Sequence, residues 1–149
     1  MVIALALAAC HRGPKLPEGD IAATLAGAPV GEHAFDPQSV HGKPTLVMFV
    51  SPTCHYCMAT IPRAIAAARQ EDANIVAVFT AGQPQNARGV VSYMHFPGPA
   101  MVDDGTLVKR YHIDHVPYMF VLGADGHARD VLDGEQEQDA IADALLAAR

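Results

Sequence analysis

The sequence predicts an α/β fold from three features. Residues 46–50 and 74–80 are short, largely apolar runs rich in β-branched residues, which is typical of buried strands. Residues 54–72 lie between them and favour a helix, because alanine dominates that segment. Near the C-terminus, residues 118–122 and 127–132 flank an Asp-Gly turn, which predicts a hairpin.

The remaining elements follow along the chain. Residues 11–20 contain two Pro and two Gly among charged residues and predict a linker, and residues 21–27 suit a short helical turn. Later segments predict a helix over 87–95, a strand over 100–102, a helix over 106–111 and a helix over 135–149. Pro62 falls inside the helix that begins at Cys54 and should kink it, because its ring cannot donate a hydrogen bond.

Length and composition limit the possible functions. The chain has 149 residues, which suits one domain with a sizeable core. Half of the residues are hydrophobic, and the formal net charge is −6. No basic stripe is present to meet phosphate groups, so nucleic acid is not expected as a partner.

Cys54 and Cys57 form a C-x-x-C motif at the predicted start of a helix. The unpaired N–H groups at that end carry partial positive charge, which stabilises a thiolate. We therefore expect Cys54 to be the attacking nucleophile, while Cys57, one turn further on, releases the partner. The spacing alone leaves two alternatives: a structural disulfide, or half of a zinc site, which usually needs four ligands.

The segment around the motif resembles the active site of the thioredoxin superfamily. A strand, a turn and C-x-x-C are followed by Pro62, where that superfamily has a helix-kinking proline. Val116-Pro117, ahead of an apolar run, resembles its cis-proline loop, and the Asp-Gly turn with the later Gly134 fits its final hairpin.

The resemblance implies a thioredoxin-like fold, with a central mixed β-sheet flanked by helices. It also implies a redox-active disulfide between Cys54 and Cys57, and substrate docking at Val116 and Pro117. No cofactor is implied, because the electrons reside on the two sulfurs. The residues expected to tune the site lie beside the cysteines: Thr53, His55 and Tyr56.

Within the superfamily, the chain is similar to the TlpA-like branch. Residues 28–41 resemble its N-terminal addition, in which a small hairpin precedes the first core strand, and a strand–helix insertion lengthens the segment between Cys54 and Pro117. The S-P-T-C-x-x-C segment also resembles MauD-type accessory proteins, which support disulfide formation in an exported dehydrogenase. Met48 departs from the pattern, because thioredoxins have there a buried acid that relays a proton to the second cysteine.

Histidines near the motif leave two points open. A protonated His55 would stabilise the Cys54 thiolate, whereas a neutral, exposed His55 would be weakly coupled to it. His112 and His115, with His95 earlier in the chain, could join the cysteines in a metal site. The alternative function is therefore a thioredoxin-fold metallochaperone for copper or zinc. The simpler interpretation is that these histidines are exposed in loops.

Cys10 ends an apolar run, and residues 7–10 resemble a bacterial lipobox, whose cysteine is lipidated. We expect residues 1–9 to be a signal-peptide remnant, 10–26 a lipidated N-terminus and tether, and 27–149 the thioredoxin-like domain. Only nine residues precede Cys10 and none is basic, so we expect the true start codon to lie upstream. An incidental cysteine in an apolar N-terminus is the alternative.

A lipidated Cys10 predicts the location and the partners of the protein. The protein would be anchored by lipid on the periplasmic side of a bacterial membrane, where conditions allow disulfide chemistry. Its partners would be the thiols and disulfides of exported proteins, together with a redox partner protein.

Overall fold

The computed structural model describes residues 14–31 and 34–149, and within them the strands form one six-stranded sheet. The strands are β1 (Ala28–Pro29), β2 (Thr45–Val50), β3 (Asn74–Phe79), β4 (Ala100–Val102), β5 (Tyr118–Leu122) and β6 (Ala128–Asp133). Their spatial order is β1-β4-β3-β2-β5-β6. Strands β2, β3 and β4 run parallel, whereas β1, β5 and β6 pair antiparallel with their neighbours, so the sheet is mixed as predicted.

Helices cover both faces of the sheet. They are α1 (His55–Gln70), α2 (Pro84–Tyr93), α3 (Thr106–Arg110) and α4 (Gln138–Ala147), with two short 3-10 helices at Ala22–Thr24 and Pro37–Val40. Side chains alternate along β2, so that Met48 packs in the cluster that includes α1 and α4, while Phe49 packs in the cluster that includes α3. The central strand is therefore buried along its whole length.

The predicted hairpin within residues 28–41 is wrong. In the described part of this segment, β1 pairs with β4 at the edge of the sheet, with Pro29 opposite Met101. Proline has no N–H to donate, which suits an edge position. Pro37–Val40 then forms a 3-10 helix, because the Asp36 carboxylate accepts a backbone N–H from the first turn at 3.0 Å. These residues are thus unavailable for a second strand.

Two predicted helices begin at other residues. Helix α2 starts at Pro84, three residues earlier than expected, because proline fits the first turn of a helix. Helix α4 starts at Gln138, three residues later than expected. Glu135 and Glu137 instead lie beside the Arg63 guanidinium, with N···O distances of 2.9 and 3.3 Å.

The register between β2 and β5 brings two loops together. Phe49 lies opposite Tyr118 in this antiparallel pair. The loop after β2 and the loop before β5 therefore lie at the same end of these two central strands. The first loop leads to Cys54, and the second contains Val116 and Pro117. The candidate site lies at this end of the strands.

Candidate active site

Cys54 is the N-cap residue of α1. Its backbone is extended, and its Sγ accepts a hydrogen bond from the Cys57 N–H at 3.1 Å. The Cys54 N–H donates to the Ser51 carbonyl at 3.2 Å, which closes the turn between β2 and α1. A cysteine at this position offers its sulfur to a free N–H of the helix, as an N-cap side chain does. The positive end of the helix therefore stabilises negative charge on Cys54.

Cys57 occupies the opposite environment. Its side chain is fully buried, whereas Cys54 is partly exposed. Burial, followed by the hydrogen bond with Cys54, raises the pKa of the Cys57 thiol to about 12. Cys57 is consequently a protonated thiol at neutral pH. Both cysteines have free sulfurs in this structure, so the disulfide between them stays a prediction.

The loop before β5 faces the first cysteine. The Val116–Pro117 peptide bond is cis, as the resemblance implies. The Cys54 thiol donates to the Val116 carbonyl, with an Sγ···O distance of 3.6 Å. Pro117 is buried and Val116 is half-buried. The structure thus brings together Cys54, Cys57, Val116 and Pro117, while the docking role of the last two stays a prediction.

The three residues expected to tune the site lie at its rim. Thr53, His55 and Tyr56 are all exposed, and the exposed fraction of Tyr56 is 60%. The His55 and Tyr56 rings meet edge to face, with centroids 5.8 Å apart. Solvent around these side chains weakens their electrostatic effect on the sulfur.

The interior behind the site contains no relay acid among the described residues. Met48 is fully buried opposite Met119 of β5, which confirms its interpretation as a core residue. Asp103 is the buried carboxylate of the described chain, and both of its oxygens accept N–H groups of α3, from Leu107 and Val108. An acid that accepts the Cys57 proton is therefore absent from the described core.

The geometry gives the metal site no support. Among residues 14–31 and 34–149, no group of three or more His, Cys, Asp or Glu side chains has an arrangement that could hold a metal ion. His115 contacts the carboxylates of Asp114 and Asp133 instead. His95 and His112 are exposed in loops, as the simpler interpretation predicts.

One feature of the site was missed by the sequence analysis. A groove of about 370 Å³ runs from the active-site turn to α2, and its lining is uncharged: Pro52, Thr53, Met58, Gln85, Asn86, Gly89, Val90 and Tyr93. Tyr93 projects from α2 with an exposed fraction of 82%. No sequence pattern signals this groove, because the active-site turn and α2 come together only in the folded chain.

The chain is similar to known proteins in sequence over part of its length and in fold over most of it. No protein-family model matches the chain. The chain is similar to the methylamine utilization protein MauD of Methylobacillus flagellatus, with 29% identity over 85 residues, and to that of Methylophilus methylotrophus, with 30% identity over 87 residues. Each match covers 57% of this chain but only 41% and 40% of the relatives.

Solved structures show the fold. A secreted Mycobacterium tuberculosis disulfide oxidoreductase homologous to E. coli DsbE superposes with a TM-score of 0.74 at 23% identity, covering 87% of this chain and 99% of that one. A thiol:disulfide interchange protein of Chlorobium tepidum gives 0.73 at 22% identity, with 83% and 92% covered. The chain therefore has a thioredoxin-like fold, with a C-x-x-C motif at the start of α1. The MauD matches agree with the predicted resemblance to MauD-type proteins over the segments that they cover.

The predicted anchor cannot be compared with the structure. Cys10 lies outside the described residues. Within residues 14–31 and 34–149, no helix has the length and apolar character needed to span a membrane.

Proposed function

We propose that this chain is a thiol–disulfide oxidoreductase that works through Cys54 and Cys57. The observation that carries the proposal is the paired environment of the two sulfurs. Cys54 caps a helix and accepts the Cys57 N–H at 3.1 Å, while Cys57 is buried one turn behind it. Structures that share the fold include disulfide oxidoreductases, which supports the same activity here.

The exchange proceeds in two steps. The Cys54 thiolate attacks one sulfur of a substrate disulfide, so that a Cys54–substrate disulfide forms and the other substrate sulfur leaves as a thiolate. Cys57 then gives its proton to the substrate thiolate released in the first step, and its sulfur attacks Cys54. This step forms the Cys54–Cys57 disulfide and releases the second substrate thiolate. Two electrons pass from the protein sulfurs to the substrate, and the reverse sequence oxidises a substrate dithiol.

The proposal extends to the partners and the location. We propose that the substrates are exported proteins and that a redox partner protein restores the cysteines after each turnover. The secreted origin of a similar structure supports an oxidising compartment. A lipid on Cys10 would hold the protein at the periplasmic side of a bacterial membrane.

Trapping of mixed disulfides tests the activity. Cys57→Ser removes the resolving thiol, so we expect cells to accumulate covalent complexes that run at higher mass without reductant and collapse with it. Cys54→Ser is the matched control and should trap few or none, because the remaining thiol is buried. An absence of complexes with Cys57→Ser, together with stoichiometric copper binding by the wild type, would favour the metallochaperone.

Membrane fractionation tests the anchor. When the full gene is expressed in its native host, the protein should enter the membrane fraction, and Cys10→Ser should release it or leave its signal uncleaved. Recovery of all the wild-type protein in the soluble fraction would remove the anchor from this account without affecting the redox activity.

A further inference from the structure

His115 lies in the loop before Pro117 and has a carboxylate at each ring nitrogen. Its Nδ1 is 2.6 Å from Asp114 Oδ1 in the same loop, and its Nε2 is hydrogen-bonded to Oδ1 of Asp133, the last residue of β6. The Tyr118 ring packs edge-on against it, with centroids 5.8 Å apart. We call Asp114, His115 and Asp133 the His115 bridge.

The His115 bridge ties the cis-proline loop to β6. Asp133 is paired with Tyr118 in the β5–β6 register, and the Gly134 N–H donates to the Pro117 carbonyl at 2.9 Å. The next residue after His115 is Val116, whose carbonyl accepts a hydrogen bond from the Cys54 thiol. A shift of the bridge therefore moves the backbone that faces the reactive sulfur.

The charges of the bridge are complementary. Both ring nitrogens face acceptors, and only the imidazolium donates from both. Asp133 first, and then Asp114, raise the pKa of His115, while His115 lowers the pKa of Asp114. Burial, followed by the charges of Asp133 and Asp114, raises the pKa of Tyr118, so that its hydroxyl stays neutral. The two carboxylates thus favour the charged form of the His115 ring that lies between them.

We propose that His115 is a positioning residue that holds Val116 and Pro117 in the geometry needed for a peptide chain to dock beside Cys54. The proposal rests on the proposed function, because it assigns a role in the same exchange reaction. The ring is about half exposed (53%), so its ion pairs add little stability by themselves. Their effect comes through position, since a misplacement of about 1 Å can cost on the order of a hundredfold in rate.

Two small substrates separate docking from chemistry. One is a cysteine-containing peptide joined by a disulfide to 5-thio-2-nitrobenzoate, and the other is free cysteine joined to the same group. In both, the Cys54 thiolate attacks the cysteine sulfur, and the coloured thiolate leaves with the electron pair of the broken bond. Only the peptide offers a backbone to the cis-proline loop. The ratio of the two rates therefore measures docking.

The test compares three variants of the full chain. His115→Gln should slow the peptide reaction about tenfold while changing the free-cysteine reaction less than about twofold. Asp133→Asn should also slow the peptide reaction. The double variant should be no slower than the slower single variant, because both substitutions remove the same contact between His115 and Asp133. His127→Gln is the control, since His127 is a similarly exposed histidine beside a carboxylate, Asp125, at the other end of the hairpin.

Amide hydrogen exchange gives a second readout that does not need activity. The Gly134 N–H should exchange faster in His115→Gln than in the wild type or in His127→Gln. If His115→Gln reacts with both substrates at the wild-type rates and its Gly134 N–H exchanges as in the wild type, this inference is overturned, while the proposed function stands. If the wild-type protein releases 5-thio-2-nitrobenzoate from neither substrate, the proposed function is overturned, and this inference with it.

Discussion

The two cysteines of the motif are three residues apart and lie in contrasting regions. The rim around Cys54 is exposed and polar, with His55 and Tyr56 in solvent. The interior around Cys57 is fully buried and belongs to the same apolar cluster as Met48. The difference shows how one helix end gives two identical side chains different chemistry: one sulfur is accessible at the positive end of the helix, and the other is buried and keeps its proton at neutral pH.

Helix geometry creates the difference. Cys54 is the N-cap, outside the first turn, while Cys57 is the third helical residue and turns toward the sheet. The N–H of Cys57 nevertheless points back to the Cys54 sulfur at 3.1 Å. The hydrogen bond by which Cys54 caps the helix thus links the exposed sulfur to the backbone of the buried residue.

The largest expected effect comes from replacing each of the two cysteines in turn by serine. Cys54→Ser and Cys57→Ser should each reduce multiple-turnover disulfide exchange to background, but only Cys57→Ser should retain a single attack on a reactive disulfide. Rapid-mixing measurements with a chromogenic disulfide resolve the two. If Cys54→Ser kept the fast single attack, the roles of attacking and resolving cysteine would have to be reversed.

A carboxylate introduced into the interior comes next. Met48→Asp should destabilise the reduced protein by about 3–5 kcal/mol at neutral pH, because it leaves a buried charge without a partner. Burial raises the pKa of such a carboxyl, so the loss should shrink as the pH falls and the group becomes neutral. Urea unfolding at several pH values measures this, with Met48→Leu as a control that should cost less than about 1.5 kcal/mol.

The pattern of apolar residues was sufficient to predict most of the fold. Leu46 and Val50 lie in the central strand as expected, because a wholly apolar run fits only a strand that is covered on both faces. The segment before it was predicted incorrectly, since the pairing of Pro29 with Met101 depends on a distant strand that local sequence cannot reveal.

The site was predictable to a similar degree. Cys54 and Pro117 carry recognisable motifs, whereas the contact of His115 with Asp133 joins residues 18 positions apart across a strand pair. That contact depends on the β5–β6 register. The same limit applies to the groove along α2, because its lining comes from two elements that are brought together only in the folded chain.

The free energy of unfolding of the reduced protein should depend on pH through the buried Cys57 thiol. The pKa of Cys57 is raised from 9.0 to about 12 in the folded state, so the unfolded state loses this proton first as the pH rises. The reduced protein should therefore lose stability progressively between about pH 9 and pH 12. Cys57→Ala should remove that part of the slope, whereas Cys54→Ala should reduce it without abolishing it, because burial, the largest cause of the raised pKa of Cys57, remains. Denaturant titrations across this range provide the check.

The smallest expected effect is at the rim. His55→Ala should change the rate of exchange by less than about threefold, because an exposed charge is screened by water and salt. Stopped-flow rates at low and high ionic strength measure it. A loss of tenfold or more would show that His55 stabilises the Cys54 thiolate strongly, and the rim would then be an active part of the electrostatics.

The most direct test of the account is equilibration of the purified protein with glutathione redox buffers of increasing oxidising strength. We expect a single two-electron transition in which the Cys54 and Cys57 thiols are lost together and form one intramolecular disulfide, seen as a mass decrease of two hydrogens. Cys54→Ser and Cys57→Ser should both abolish it. If the two thiols persist, or oxidise independently to separate glutathione adducts, the paired-sulfur mechanism is contradicted.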